Sequence, residues 1–220
     1  NVAVLGERDC SVQKNHQKLI EESPSPSVTK AMRAKMTEGA VNLFSSLKYR
    51  GAGTIEFLVS GEEFYFMEVN ARIQVEHPVS EFVSGADIVR EQILVCSGLP
   101  METDCEKVEL NGWSIETRIN ARAPGTVQRL EVPGGLGVRF DSFLYNGYKV
   151  LPHYDSMIAK LIVHDVDRPR ALKKMMRALN ELVIEGVPTN IEEQKKILTS
   201  VKFSSGQFGT SLYAELFPSS

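Results

Sequence analysis

The sequence has little of what would place it outright. Its 220 residues hold three cysteines and one tryptophan. Cys10, Cys96 and Cys105 make no CxxC pair and stand at no metal-ligand spacing from a histidine. That argues against a disulfide framework or structural zinc and suits a reducing compartment. The expected location is the cytoplasm, or the mitochondrial matrix if the parent is eukaryotic. No apolar run approaches the roughly 20 residues of a membrane span, and the amino terminus lacks a signal-peptide pattern, so no membrane partner is expected. The formal net charge is only −3, which offers no basic surface to nucleic acid or anionic lipid. Internal repeats and low-complexity tracts are missing as well. What remains, 42% hydrophobic and 24% charged residues, is the composition of a globular chain able to form one large or two small domains.

The chain opens on NVAVLGERDCSVQ, which reads as a strand running into a charged loop, as if cut from something longer. The proline-rich SPSPSV connection leads to Thr29, a cap for a helix with Met32, Met36, Ala40, Leu43 and Leu47 three or four apart. GAGTIEFLVSGEEFYFMEVN predicts a β-hairpin turning at Ser60-Gly61. A helix over Ala86–Cys96 stops near SGLP. Beyond a connection around residues 100–112 the texture becomes strand-like, in GWSIETRINA, TVQRLEVPGGLGVRFDSF and YDSMIAKLIVHD. RPRALKKMMRALNELVIEG then predicts an amphipathic helix with Ala171, Met175, Leu179 and Leu182 on one side. The class is mixed α+β, in two parts that share one site.

One stretch carries the chemistry. In FYFMEVNARIQVEHPVSE, the residues Glu68, Asn70, Arg72, Gln74 and Glu76 fall at every second position, with Val69, Ala71, Ile73 and Val75 between them. On an extended chain that puts two acids, two amides and a guanidinium on one face. Glu56, across the hairpin turn, shares that face with Glu68 and Asn70. Two carboxylates and an amide oxygen are hard ligands of the kind magnesium takes. Arg72 is a forked donor for an anion, Gln74 can orient a small oxyanion, and Glu76 is a candidate general base. The bland alternative is a strand edge with solvated charges.

With those residues in view, EVNARIQVEHPVSE, ERDCSVQKNHQKLIEESPSP, KYRGAGTIEF and YDSMIAKLI together resemble biotin carboxylase, the ATP-grasp component of biotin-dependent carboxylases, along nearly all of the chain. The E-x-N-x-R core alone is shared with other ATP-grasp ligases; RIQVEHPV is the specific part. The resemblance implies the C-terminal half of an ATP-grasp domain over residues 1–104 and the biotin carboxylase C-terminal domain over 105–220. It implies magnesium or manganese on Glu56, Glu68 and Asn70, and bicarbonate among Lys18, Arg72, Gln74, Val75 and Glu76, with Glu76 as its base. It places Gln13, His16, Leu58 and Leu212 at the nucleotide, and Arg139 at the biotin ureido oxygen. Asp155, Ser156 and Lys160 would sit at a strand end that helps close the site. The implied reactants are ATP, bicarbonate and biotin on a biotin carboxyl carrier protein, with a carboxyltransferase as the next partner and a homodimer as the assembly.

Two departures stand out. Nothing matches the family's preceding nucleotide-fold domain or its glycine-rich lid, and the loop in RINARAPGTVQRL is some seven or eight residues shorter than the family's. Two alternatives follow from the residues: another ATP-grasp ligase, or a non-catalytic assembly module.

Overall fold

The structure is a computed structural model and describes residues 1–218. In chain order it comprises β1 (Asp9–Lys14), β2 (Gln17–Ser23), α1 (Lys30–Ser46), β3 (Thr54–Ser60), β4 (Glu63–Asn70), α2 (His77–Ser84), α3 (Ile88–Cys96) and β5 (Trp113–Asn120). There follow β6 (Gly125–Thr126), β7 (Arg129–Glu131), β8 (Val138–Ser142), β9 (Lys149–Val150), β10 (Met157–Asp165), α4 (Arg168–Glu181), β11 (Val183–Glu185), α5 (Ile191–Thr199), α6 (Val201–Ser204) and α7 (Leu212–Leu216). The chain divides into two compact units, Asn1–Arg8 with Ser23–Asn111, and Asp9–Glu22 with Gly112–Ser220. Among the described residues no helix is long and apolar enough to cross a membrane.

In the first unit α1 starts where the sequence predicts, with the Thr29 hydroxyl accepting from the Met32 amide. Of the predicted stripe only Met32 is buried, and Leu47 is exposed. The β3–β4 hairpin forms with Ser60 opposite Glu63, and α3 is capped by the Asp87 side chain on the Arg90 amide. Two expectations fail here. Residues 1–8 form no strand, and the first one begins at Asp9. The extended row expected through Glu76 also ends early, and Pro78 lies in the first turn of α2, where its missing N–H costs nothing and its fixed φ suits the helix.

The second unit is built on a five-stranded sheet ordered β1-β2-β5-β10-β8. Ile115, Thr117 and Ile119 of β5 and Leu161 and Val163 of β10 are buried, and α4 packs its predicted face of Ala171, Met175 and Leu179 into the same core. The charged loop expected after the first strand is instead β1 from Asp9 onward, and β2, paired with it, buries both Glu21 and Glu22. Their alternation sends them to opposite partners. Glu21 pairs with Arg118, whereas Glu22 accepts from Trp113 Nε1 at 2.6 Å and Arg168 Nε at 2.7 Å. Burial tolerates such acids only when they are paired and hydrogen-bonded.

Candidate active site

Two hairpins, one in each unit, hold most of the predicted site residues. In the first unit Glu56 and Glu68 are direct partners across the β3–β4 ladder, and Asn70 lies opposite Thr54 at the start of β3. Two unscreened carboxylates in that relation would repel. The Asn70 amide lies between them instead: its Nδ2 donates to Glu68 Oε1 at 2.7 Å and to Glu56 Oε1 at 3.4 Å. Gln74 Nε2 adds a bond to Glu56 Oε1 at 2.7 Å. The donor set fits a hard divalent cation, because two carboxylates converge on one point and the Asn70 amide needs only a flip to present its oxygen there. Among the described residues no group of three or more histidine, cysteine or acidic side chains gathers for a metal, so an amide or water would complete such a site.

The polar row does not continue as strand. β4 ends at Asn70, and residues 71–76 form a loop that leads into α2. This breaks the expected single face, because side chains off a pleated ladder no longer alternate. Arg72 is exposed and donates to the Ile73 carbonyl at 3.0 Å. Gln74 turns inward and is buried, as is Glu76, which occupies the position just before α2. The loop is tied by His77, whose backbone N–H and Nδ1 both meet the Gln74 carbonyl, at 3.3 and 2.9 Å. The structure thus brings Glu56, Glu68, Asn70 and Gln74 together and leaves Arg72 outside that group. Leu58, on the Glu56 side of the hairpin, is 51% exposed.

In the second unit β1 and β2 form a hairpin through Asn15 and His16, both with positive φ. That is the two-residue turn whose twist matches the strands. Gln13 and Lys18 lie directly opposite each other, Gln13 Nε2 donates to the Cys10 carbonyl, and His16 is exposed. Leu212, at the start of α7, is 1% exposed in the core. Arg139 on β8 bonds Asp141 Oδ1 through Nε at 2.8 Å. Lys160 lies inside β10 rather than at its end, between Arg118 and Asp141 in register, with its Nζ 3.5 Å from Asp141. Burial tends to raise Asp141, but Arg139 and Lys160 outweigh it and hold the carboxyl below its ordinary range. Arg118, Lys160, Asp141 and Arg139 therefore share one face of the sheet.

Known proteins resemble this chain over nearly all of its length. Residues 1–104 match the carbamoyl-phosphate synthase L chain ATP-binding domain, and residues 116–215 match the biotin carboxylase C-terminal domain. The chain belongs to the biotin carboxylase family. Biotin carboxylase 1 of Bacillus subtilis is 49% identical over 220 residues, covering 96% of this chain and 49% of that protein. Biotin carboxylase of Haemophilus influenzae is 46% identical, covering 97% and 49%. The biotin carboxylase domain dimer of Hydrogenobacter thermophilus 2-oxoglutarate carboxylase, in complex with MgADP, ADP and bicarbonate, superposes with a TM-score of 0.93 at 41% identity, over 97% of this chain and 49% of that one. The chain thus spans about half the length of the curated relatives it matches.

Biotin carboxylase motifs led directly to the acids and amides, because residue type and spacing announce them. Arg8, Arg118 and His77 escaped. Arg8 stands in an irregular segment, where no period marks it. Arg118 sits in an apolar-flanked strand, where its buried acid partner comes from 97 residues away.

Proposed function

We propose that this chain contributes to a biotin carboxylase that uses ATP and bicarbonate to carboxylate biotin on a carrier protein, through carboxyphosphate. The observation that carries the reading is the facing pair Glu56 and Glu68 with Asn70 and Gln74 gathered on it, in a chain of this family. Glu56, Glu68 and Asn70 would hold magnesium or manganese. The bound ion supplies charge neutralisation for the phosphate oxygens. Lys18, Arg72, Gln74, Val75 and Glu76 bind bicarbonate, and buried Glu76 takes its proton before it attacks the γ-phosphate. Gln13, His16, Leu58 and Leu212 receive the nucleotide, with residues 1–104 as the ATP-grasp part and 105–220 as the C-terminal domain.

The released phosphate takes the biotin ureido proton, and a guanidinium stabilises the oxygen that gains charge. Arg139 is the candidate from sequence. Arg118 shares that sheet face but is committed to the buried Glu21, so it serves as the comparison. Single Arg→Met variants separate them, because the true one loses turnover with little change in nucleotide affinity. The expected partners are the biotin carboxyl carrier protein, a carboxyltransferase and a second copy of the same subunit.

ADP release from magnesium-ATP and bicarbonate, with and without free biotin, tests the reaction. Stimulation by biotin supports it. Release that ignores biotin and follows an amine or amino acid points to another ATP-grasp ligase. A folded chain that binds no magnesium-nucleotide is an assembly module instead.

A further inference from the structure

A glutamine amide presents an oxygen and an NH2 of nearly equal size, and only its partners decide which way round it works. Gln74 has two partners that permit one answer. Its Oε1 accepts from Arg8 Nη2 at 2.9 Å, and its Nε2 donates to Glu56 Oε1 at 2.7 Å. A guanidinium can only donate and a carboxylate can only accept. Turned over, the amide would set N–H against N–H and oxygen against oxygen at once. Arg8 is itself fixed, by bonds from Nη1 to Ser80 Oγ in α2 at 3.0 Å and from Nη2 to Thr54 Oγ1 in β3 at 3.2 Å.

We propose that Arg8 is a positioning residue that locks the Gln74 amide with its NH2 toward Glu56. One amide hydrogen goes to Glu56 and the second remains for a further acceptor, while Arg8 occupies the oxygen side, so Gln74 meets bicarbonate as a donor. This rests on the reading of Gln74 as a bicarbonate ligand. Arg8 touches no reactant in this account and acts through Gln74 alone.

The test uses the polypeptide that shows bicarbonate-dependent ADP release. Arg8→Met keeps the length of the stem but removes the fork. It raises the KM for bicarbonate about tenfold, the scale of one hydrogen bond to a charged group, with kcat and the nucleotide KM changed less than about twofold. Arg8→Lys, which keeps one donor, recovers most of the loss. In a Gln74→Leu background Arg8→Met adds nothing to the bicarbonate KM. An unchanged KM in Arg8→Met, or the same tenfold rise in the Gln74→Leu background, overturns the proposal. If Arg8→Met does not fold, Arg8→Gln, polar but without the guanidinium fork, against Gln74→Leu reads the same coupling.

A second measurement stands apart from activity. The Gln74 side-chain 15NH2 resonances of the 220-residue chain are expected as a dispersed, exchange-protected pair, and Arg8→Met should shift them and speed their exchange. Unaltered resonances refute the locking whatever the enzyme does. Wild-type protein without bicarbonate-dependent release, but with the locked amide, fails the functional reading alone.

Discussion

Replacing Arg168 by methionine removes one half of a buried charge pair and leaves Glu22 without its cation. Glu22 is 1% exposed. Its oxygens accept from Arg168 at 2.7 and 2.9 Å and from Trp113 at 2.6 Å. Burial pushes the Glu22 carboxyl up, against the pull of Arg168 and Trp113, so desolvation is the dominant influence on this acid. Breaking such a pair by removing one partner costs about 3–5 kcal/mol. Arg168 also donates to the Phe203 and Ser204 carbonyls, at about 1 kcal/mol each, while the methionine retains most of the stem packing on the Phe203 ring. The sum is roughly 5–7 kcal/mol, a large share of the ~5–15 kcal/mol that holds a domain together. With a urea slope of about 2 kcal/mol per molar, the midpoint should fall by about 2.5–3.5 M. Glu22→Gln keeps an acceptor for Trp113 and removes the charge, so Glu22→Gln/Arg168→Met should be more stable than Arg168→Met alone. Urea unfolding followed by the single Trp113 measures all three. A loss below about 1 kcal/mol in Arg168→Met, or a double variant equal to the sum of its parts, refutes the assignment of the cost to a stranded buried charge.

Three further outcomes are expected. Glu193 is pulled up by burial, yet hydrogen bonds from Tyr213 and Arg122 outweigh this and hold it below its ordinary range. A depressed acid adds stability above its unfolded pKa that is lost as pH falls through its folded pKa. Acid unfolding curves taken below about pH 5 should therefore show Tyr213→Phe losing less stability on acidification than wild type; parallel curves would dismiss the link. Gly112 has φ +71°, and a Cβ there would meet the Asp165 carbonyl oxygen at 2.3 Å. Gly112→Ala should thus cost about 1–3 kcal/mol in denaturant titrations, and a neutral result would contradict that close approach. His77→Ala frees the loop that carries Gln74 and Glu76 and should raise the bicarbonate KM several-fold, with His77→Asn restoring part of it through its own amide donor; equal effects of the two would tell against the Gln74 carbonyl bond.

The elements that announce themselves by period or punctuation were legible from the sequence: the Thr29 cap, the β3–β4 hairpin, and α4 with Ala171, Met175 and Leu179 buried as spaced. The facing of Glu56 and Glu68 followed from hairpin parity. What resisted reading depended on distant partners. Glu21 and Glu22 look like solvated charges until Arg118, Trp113 and Arg168 arrive from across the chain. The polar row looked like one strand because alternation persists past Asn70, yet the ladder that would enforce it stops there.

The second unit borrows Asp9–Glu22 from a point some ninety residues upstream of its main body. A piece excised from Gly112 onward would keep its helices and three sheet strands but lose β2, which pairs with β5, and β1 beyond it. The bared flank of β5 would expose a row of backbone donors and acceptors, and Arg118 would be left without Glu21. Such a piece is a candidate for sticky, strand-exchanging behaviour rather than a clean module. Grafting Asp9–Glu22 ahead of it through a short flexible tether should return it to solution.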